Sequence, residues 1–325
     1  MRLSKWIVIV VAAVLVGCAD KNAPDTELVV TECAAMAEGR ASSAACAANG
    51  KAYVFGGRDA NKKYLNELWQ YDAAADEWSK IGEVPDKARV NAAIVADEDC
   101  LYMGLGFSGE SAFADSCYLR DWWKYSLTTG SWTRLADYPN EHSNAAVMYK
   151  VGRRIYAVYG FGLGWTSQVV YYDIDNDQWH KYGDNSNRAR PSFGGVGGQS
   201  HGKCYFGTGY RNANMRYWYE VDLENDDWTE KASLPGKGRV LCAGCGTSEY
   251  VYVFGGRCFS GEYTGGEVMK EMLRYIVAED KWQRCGTLKC GRAENMIAFT
   301  IGDKAYYGLG EDENGKVINK IYRVE

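Results

Sequence analysis

The sequence repeats one pattern six times, and this repetition limits the possible folds more than any other feature of the chain. Each copy contains a short apolar segment, usually with a tyrosine, that ends in one or two glycines. The last glycines of the six segments are Gly57, Gly106, Gly160, Gly209, Gly256 and Gly310. The repeat is therefore about 50 residues long, which is the size of one supersecondary unit in proteins that stack such units or arrange them in a ring.

Other features recur at similar places within the repeat. An aromatic segment, such as residues 67–72, follows the glycines, and a single tryptophan comes next in five of the units. These tryptophans are Trp78, Trp132, Trp179, Trp228 and Trp282. Apolar residues alternate over short segments and no segment has a sustained helical period, so we expect four short β-strands in each unit. We expect the tryptophans to pack between neighbouring units.

A unit of this length and content resembles the kelch repeat, and the resemblance covers nearly all of the chain after the N-terminal segment. It implies an all-β fold, a six-bladed kelch-type β-propeller in which every unit is a four-stranded antiparallel blade. The last unit ends at residues 321–325, which match a third strand, so its fourth strand is missing. We expect residues 28–32 to supply this strand and to close the ring within a domain that spans residues 27–325.

The N-terminal residues have the pattern of a targeting segment. Arg2 and Lys5 precede an apolar run over residues 6–16 that is too short to span a bilayer. Residues 15–18 resemble the bacterial lipobox, which implies that Cys18 becomes the lipidated first residue of the mature protein. The alternative is an ordinary signal peptide followed by a coincidental cysteine. We expect a signal peptide over residues 1–17, a tether over residues 18–26, and an exported protein anchored by lipid to the cell envelope, with the outer membrane favoured.

Charge and cysteine content restrict the partners and cofactors. The chain has 37 Lys and Arg residues against 42 Asp and Glu residues, and this net charge of −5 disfavours a nucleic-acid partner. The cysteines that follow Cys18 are even in number, which permits disulfides in an exported protein but does not reveal their pairing. Cys242 and Cys245 have an odd spacing, which would place the two thiols on opposite faces of a strand. We therefore expect no metal site and no cofactor.

A basic residue follows each tryptophan after ten or eleven positions, and another stands at the corresponding place near the N-terminus. These residues are Arg40, Arg89, His142, Arg190, Arg239 and Arg292. All six are predicted to begin the innermost strand of a blade, around the mouth of the central channel. Arg58, Arg211 and Arg257 follow the glycine segments, on loops of the same face. Arginines gathered at one opening of an acidic protein would focus a positive potential there, and guanidinium groups bind carboxylates and phosphates in bidentate geometry.

We interpret this mouth as the binding site of an anionic small molecule, a glycan or an acidic peptide. The resemblance supports this, since arginines in similar places contact the ligand in kelch propellers that bind acidic peptides or a sugar acid. The alternative is that each arginine bridges neighbouring blades through Asp and Glu residues. Further candidates for ligand binding are Trp165, on a glycine-rich loop of this face, and the polar residues Asn91, Asn144 and Glu294. Aromatic candidates with a weaker claim are Phe113, Phe259 and Tyr263.

Catalysis is the second interpretation. Some kelch-like proteins are copper oxidases, but His142, His180 and His201 are predicted on separate parts of the propeller and would not share a metal. Exported bacterial kelch propellers also include a sialic acid mutarotase, and this resemblance of setting implies a cofactor-free epimerase or mutarotase in which His142 and Glu294 act as base and acid. A scaffold for protein–protein interaction is the third interpretation. We favour a monomeric, membrane-anchored binding module.

Overall fold

The computed structural model describes residues 25–109, 111, 114–140, 144–162, 168–184 and 192–325. Within these residues the chain forms six four-stranded antiparallel sheets, which are the blades of a β-propeller. The helical elements among them are two 3-10 turns, Asp115–Cys117 and Val277–Glu279. No helix in these ranges has the length and apolar character needed to cross a bilayer. The predicted all-β, six-bladed architecture is confirmed.

The strands follow one another in a regular order around the propeller. In chain order they are β1 (Val30–Glu32), β2 (Ala44–Ala48), β3 (Lys51–Phe55), β4 (Glu67–Asp72), β5 (Glu77–Glu83), β6 (Ala93–Asp97), β7 (Cys100–Gly104), β8 (Trp122–Ser126), β9 (Trp132–Arg134), β10 (Val147–Val151), β11 (Arg154–Val158), β12 (Gln168–Asp173), β13 (Gln178–Asp184), β14 (Val196–Ser200), β15 (Lys203–Gly207), β16 (Trp218–Asp222), β17 (Asp227–Lys231), β18 (Ala243–Gly246), β19 (Tyr250–Phe254), β20 (Arg257–Cys258), β21 (Glu267–Val268), β22 (Glu271–Ile276), β23 (Lys281–Thr287), β24 (Ala293–Glu294), β25 (Ile297–Ile301), β26 (Lys304–Gly308), β27 (Glu311–Asp312) and β28 (Ile321–Val324).

Each blade uses four of these strands, from the innermost to the outermost. Blades 1 to 4 are β2–β5, β6–β9, β10–β13 and β14–β17, and blade 5 is β18, β19, β22 and β23. Blade 6 is β25, β26, β28 and β1, while β20–β21 and β24–β27 are two short ribbons outside the blades. We call the face with the connections between second and third strands, and from one blade to the next, the upper face. The opposite face is the lower face.

The N-terminal strand closes the ring. β1 pairs with β28 in antiparallel register, with Val30 opposite Val324. The Glu325 N–H also donates to the Val29 carbonyl at 2.9 Å. The first and the last strand of the chain therefore lie side by side in blade 6, as the sequence predicts, and the edge of the β28 strand is covered.

Six residues in the left-handed backbone conformation, one from each blade, surround the central channel at the upper face. This inner ring consists of Ser42, Asn91, Ala145, Gly194, Leu241 and Asn295, with φ between 51° and 61°. Five backbone hydrogen bonds run from one blade to the next, among them Asn91 N to Ser42 O at 2.8 Å and Ser42 N to Asn295 O at 2.9 Å. The channel here is a cavity of about 150 Å³, lined by these residues and by small neighbours such as Ala92 and Gly195. The small side chains leave room for six converging strands.

Blades 1, 3 and 5 are joined to the preceding blade by the same three side chains. In blade 5 the Trp282 indole donates to the Ala232 carbonyl at 2.7 Å. The Asp280 carboxylate accepts from the Ala232 N–H at 2.8 Å and from the Tyr275 hydroxyl at 2.7 Å. The equivalent sets are Tyr71, Asp76 and Trp78 with Ala34, and Tyr172, Asp177 and Trp179 with Ala136. Tryptophans of the repeat therefore pack between blades, as predicted.

Candidate ligand-binding face

Of the basic residues that the sequence assigns to one repeated position, the four that the structure describes do not all share one place in the fold. The equivalent position in each blade lies two residues before its inner-ring residue. These positions hold Arg40, Arg89, residue 143, Ser192, Arg239 and Ala293. Four of these side chains donate to the carbonyl sixteen residues further on, including Ser192, whose hydroxyl donates to Thr208 at 3.1 Å. The alignment is therefore wrong by one residue for Arg292, whereas His142 and Arg190 lie outside the described residues. The reason is that the connections between blades differ in length, so the spacing from the tryptophan does not transfer.

The three arginines that do occupy the repeated position are buried. The side chains of Arg40 and Arg89 are 0% exposed and that of Arg239 is 2% exposed. Each one pairs with an acidic residue at the start of the third strand of its own blade; the pairs are Arg40–Glu67 at 2.9 Å, Arg89–Asp121 at 2.7 Å and Arg239–Glu271 at 3.3 Å. This corrects the placement of these residues at the channel mouth. These ion pairs connect strands within one blade, whereas the alternative interpretation from the sequence expected bridges between neighbouring blades.

Indole rings cover two of these ion pairs. Trp69 and Trp123 each lie two residues after the acidic residue, and their indole N–H groups donate to Glu67 and Asp121, both at 2.8 Å. The Arg40 guanidinium lies 5.5 Å from the centre of the Trp69 ring, at a cation–π distance. Burial raises the pKa of Glu67, but the hydrogen bonds from Trp69, Lys80 and Arg40 outweigh it and lower the pKa to about 2.

Two other arginines form a charged sector on the upper face, at blades 5, 6 and 1. Arg257 binds both oxygens of Glu294, at 2.7 and 2.5 Å, and Arg58 donates to Glu311 at 2.5 Å. Glu294 and Glu311 are buried and lie opposite each other in the β24–β27 ribbon. The charged sector, which we define as these four residues, links three consecutive blades. Both carboxylate oxygens of Glu294 are engaged, which restricts its predicted use as a catalytic acid.

The remaining candidates are scattered over the upper face. Arg292 is paired with Glu267 at 2.7 Å. Asn91 belongs to the inner ring, and the backbone of Asn144 pairs with that of Phe161. Arg211 is half-buried, and its guanidinium forms no ion pair with any residue in the described part of the chain. The candidates that lie outside the described residues are Cys18, Phe113, His142, Trp165 and Arg190.

A continuous aromatic arc runs over the upper face from blade 1 to blade 5, and of its members only Phe259 and Tyr263 were candidates from the sequence. It consists of Tyr64, Phe107, Tyr118, Phe161, Phe193, Tyr210, Phe259 and Tyr263, with neighbouring ring centres 4.8–6.5 Å apart. Tyr263 is 39% exposed. Phe107, Phe161 and Tyr210 directly follow the glycines of their repeats, at the position that holds Arg58 and Arg257 in other blades. A comparison of that single position across the repeats would have revealed the division of this face into an aromatic and a charged half.

The cysteines and histidines do not form a reactive centre among the described residues. All ten described cysteines are without a disulfide. Cys242 packs between blades 4 and 5 and Cys245 between blades 5 and 6, which confirms that they lie on opposite faces of the sheet. Burial raises the pKa of both thiols to about 12, so neither is a ready nucleophile. Within the described ranges no three His, Cys, Asp or Glu side chains are arranged to hold a metal ion.

Six four-stranded blades closed by the N-terminal strand, with paired glycines at the ends of second strands, define a kelch-type β-propeller. The model of the KLHDC2/KLHL20/DRC7 Kelch-repeats domain matches residues 28–209, which is more than half of the chain. The protein belongs to the kelch-repeat family.

Relatives and solved structures agree with this assignment. Kelch-like protein 25 of Xenopus tropicalis is 28% identical over 248 residues, which are 75% of this chain and 40% of the relative. Kelch-like protein terF of Aspergillus terreus is 26% identical over 206 residues, 58% of this chain and 43% of the relative. The chain thus spans about two fifths of the length of these relatives. A structure titled "Structure of YjhT" matches with a TM-score of 0.74 at 15% identity, covering 89% of this chain and 96% of that one, and this likeness concerns the fold.

Proposed function

We propose that the protein is a binding module whose upper face recognises a ligand that combines an acidic group with a flat apolar surface, such as an acidic glycan or an acidic peptide. The observation that carries this proposal is the division of the upper face into the aromatic arc and the charged sector. The ligand would lie across the channel mouth, with its apolar surface on the arc and its acidic group toward the arginines.

The aromatic half supplies the contact area. Phe107, Phe161 and Phe193 are half-buried, so each ring keeps a part of its surface open to solvent. Rings held by edge-to-face contacts with their neighbours lose little conformational freedom when a ligand binds. Sugar rings and the apolar side chains of peptides both pack on such surfaces.

Arg58 and Arg257 of the charged sector, together with Arg211 beside the arc, supply the preference for an anion. Arg58 and Arg257 keep 23% and 20% of their side-chain surface exposed despite their ion pairs. Arg211 lies next to the arc residue Tyr210 and has its guanidinium available for an acidic ligand. Because guanidinium groups bind carboxylates in bidentate geometry, Arg211 is the primary anion contact in this proposal.

The test is an array of glycans, sugar acids and acidic peptides, followed by calorimetry with the protein and three variants. Arg211→Ala and Phe161→Ala are each expected to weaken binding of the selected ligand about tenfold or more, since each removes a charge-assisted hydrogen bond or a stacking contact. Arg154→Ala is the control, since Arg154 is an exposed arginine of the lower face. Selection of neutral ligands alone, or equal affinities for all the variants, would contradict the proposal. Anomer exchange measured by NMR on the selected sugar separates binding from mutarotation.

Anchoring to the envelope by a lipid on Cys18 is the second part of the proposal. It is supported by the lipobox-like residues 15–18 after a short apolar run. Metabolic labelling with a palmitate analogue and detergent phase partitioning of the full chain test it. The label and the detergent-phase fraction are expected to disappear in Cys18→Ser, and a labelled Cys18→Ser protein would refute the anchor.

A further inference from the structure

Blades 1 and 2 place an indole ring at the same site between charged groups. In blade 1, Trp69 covers the Arg40–Glu67 pair and lies opposite Lys80 of the neighbouring outer strand. In blade 2, the Trp123 indole N–H donates to Asp121 of the Arg89–Asp121 pair, and Trp123 lies opposite Arg134. The Arg134 guanidinium lies 5.2 Å from the centre of the Trp123 ring. The fold therefore contains a repeated slot for a planar N–H heterocycle between a carboxylate and cationic groups.

Blade 5 has the charged groups of this slot without the ring. Arg239 and Glu271 form the ion pair, and Arg284 occupies the outer-strand position of Lys80 and Arg134. Leu273 stands where the other two blades have tryptophan. A cavity of about 530 Å³ lies there, and its lining includes all four of these residues.

The carboxylate in this cavity is more accessible than its counterparts. The side chain of Glu271 is 37% exposed, against 20% for Glu67 and 6% for Asp121. Its pair with Arg239 is also the longest of the three, at 3.3 Å. No indole donates to Glu271 within the described part of the chain, so an acceptor site is open toward the cavity.

Of the four cationic residues that line the cavity, Lys270 and Arg284 have no acidic partner among the described residues. Lys237 is paired with Glu267 at 2.7 Å, and Arg239 is paired with Glu271. The side chains of Lys270 and Arg284 form no ion pair with any described residue, although both line the cavity. The lining therefore has four cationic side chains against the carboxylates of Glu267 and Glu271, and Asp25 lies beside it, where its carboxylate accepts from the Arg284 backbone N–H at 2.8 Å.

We propose that this blade 5 cavity is a binding site for a small planar heteroaromatic acid. The ring fills the space that an indole fills in blades 1 and 2, and its N–H donates to Glu271. The acidic substituent lies toward Arg284 and Lys270. Leu273 supplies the apolar floor. The site is separate from the upper-face arc, so this inference does not depend on the proposed function.

Indole-3-acetate is the probe, because it combines an indole N–H with a carboxylate. Calorimetry and ligand-observed NMR on the full protein are expected to show saturable binding. 1-Methylindole-3-acetate, which cannot donate to Glu271, is expected to bind about tenfold more weakly or worse. Indole without the acid group is expected to bind weakly and to be insensitive to Arg284→Ala, whereas the same variant weakens indole-3-acetate binding.

Leu273→Trp provides the decisive variant. It restores the side chain of blades 1 and 2, so it is expected to fill the cavity, to abolish probe binding and to preserve or raise the unfolding temperature. Phe161→Ala, in the aromatic arc, is the control and is expected to leave probe affinity unchanged. Absence of binding to the unmodified protein, or equal binding to folded Leu273→Trp, would overturn the proposal. If Leu273→Trp is unstable, the proposal is overturned when the N-methylated probe binds as tightly as indole-3-acetate and Arg284→Ala does not change indole-3-acetate binding.

Discussion

Arg89 has no exposed side-chain surface, and its partner Asp121 is 6% exposed. Arginines in ion pairs of this kind recur in blades 1, 2 and 5, and each also donates to a backbone carbonyl just after the second strand of its blade. Transfer of the two charges out of water opposes their attraction, so the intact pair adds little net stability, but loss of one partner leaves a buried charge without compensation. These arginines thus act within the blades, and the proposed upper-face recognition relies on other residues.

Replacement of Arg89 tests this role. Arg89→Ala is expected to lower the free energy of unfolding by about 3–5 kcal/mol, because Asp121 then remains buried without its cation. Chemical denaturation followed by tryptophan fluorescence measures the change. Lys304→Ala, which breaks the exposed pair with Glu325, is the matched control and should lower stability by less than about 1 kcal/mol. An effect of Arg89→Ala as small as that of the control would contradict the assignment.

The Glu67 carboxylate predicts a dependence of stability on pH. Its pKa in the folded state is lowered to about 2 from an ordinary value of 4.5. A lowered folded-state pKa gives stability that is fully present above the unfolded value and is lost as the pH falls through the folded value. Denaturation curves recorded as the pH is lowered from 4.5 to about 2 should therefore show a falling free energy of unfolding. The fall should be smaller in Glu67→Gln, and identical profiles for both proteins would contradict this prediction.

The sequence predicted that arginine repeats before the first strand of several blades, but it did not predict where these side chains lie. Arg40, Arg89 and Arg239 do occupy equivalent positions, but a shift of one residue removes Arg292 from this set. Such a shift changes whether a side chain enters the blade or lies on its surface, because neighbouring residues of a strand point in opposite directions. Burial itself depends on contacts between strands that are distant in sequence, and the single sequence does not report them.

At the scale of elements, the Tyr–Asp–Trp sets of blades 1, 3 and 5 hold each of these blades to the preceding one. Trp282 combines burial with a hydrogen bond to Ala232 and an edge-to-face contact with Trp218, whose ring centre is 5.0 Å away. The length and alternation of the strands were predictable from the period of two in the sequence. The pairing of Asp280 with a preceding blade was not, since the two partners are separated by nearly a full repeat.

Truncation of Trp282 should strongly weaken the contact between blade 5 and the preceding blade. Trp282→Ala is expected to lower the free energy of unfolding by about 3–5 kcal/mol, because it leaves a cavity and an unpaired carbonyl. Trp282→Phe keeps most of the packing and should have a smaller effect. Denaturant unfolding of the three proteins measures the difference, and equal losses for both variants would show that packing does not determine the contribution.

At the scale of the whole molecule, stability depends on a ring that closes, among the described residues, through non-covalent contacts. The Cys33 and Met36 N–H groups donate to the carbonyls of Ile321 and Asn319, next to the β1–β28 pair. Blade 6 thereby joins both ends of the chain. This closure was predictable because the last repeat lacks a fourth strand in the sequence.

Removal of residues before position 34 should open the ring. The β28 edge would lose its partner, and the unfolding temperature is expected to fall by roughly 5–10 °C. A synthetic peptide of residues 25–36 should restore part of the loss. Scanning calorimetry with and without the peptide measures both effects, and an unchanged unfolding temperature would show that β1 is dispensable.

The pairing of β1 with β28 also sets an order on biosynthesis. β1 leaves the ribosome before β28, its partner in blade 6, so blade 6 cannot form before residue 324 has been made. Until then the row of five complete blades has no neighbour at either end, and a message cut short before the codons of β28 yields a protein in which β1 is unpaired. Synthesis of the full chain is thus a condition for a closed molecule.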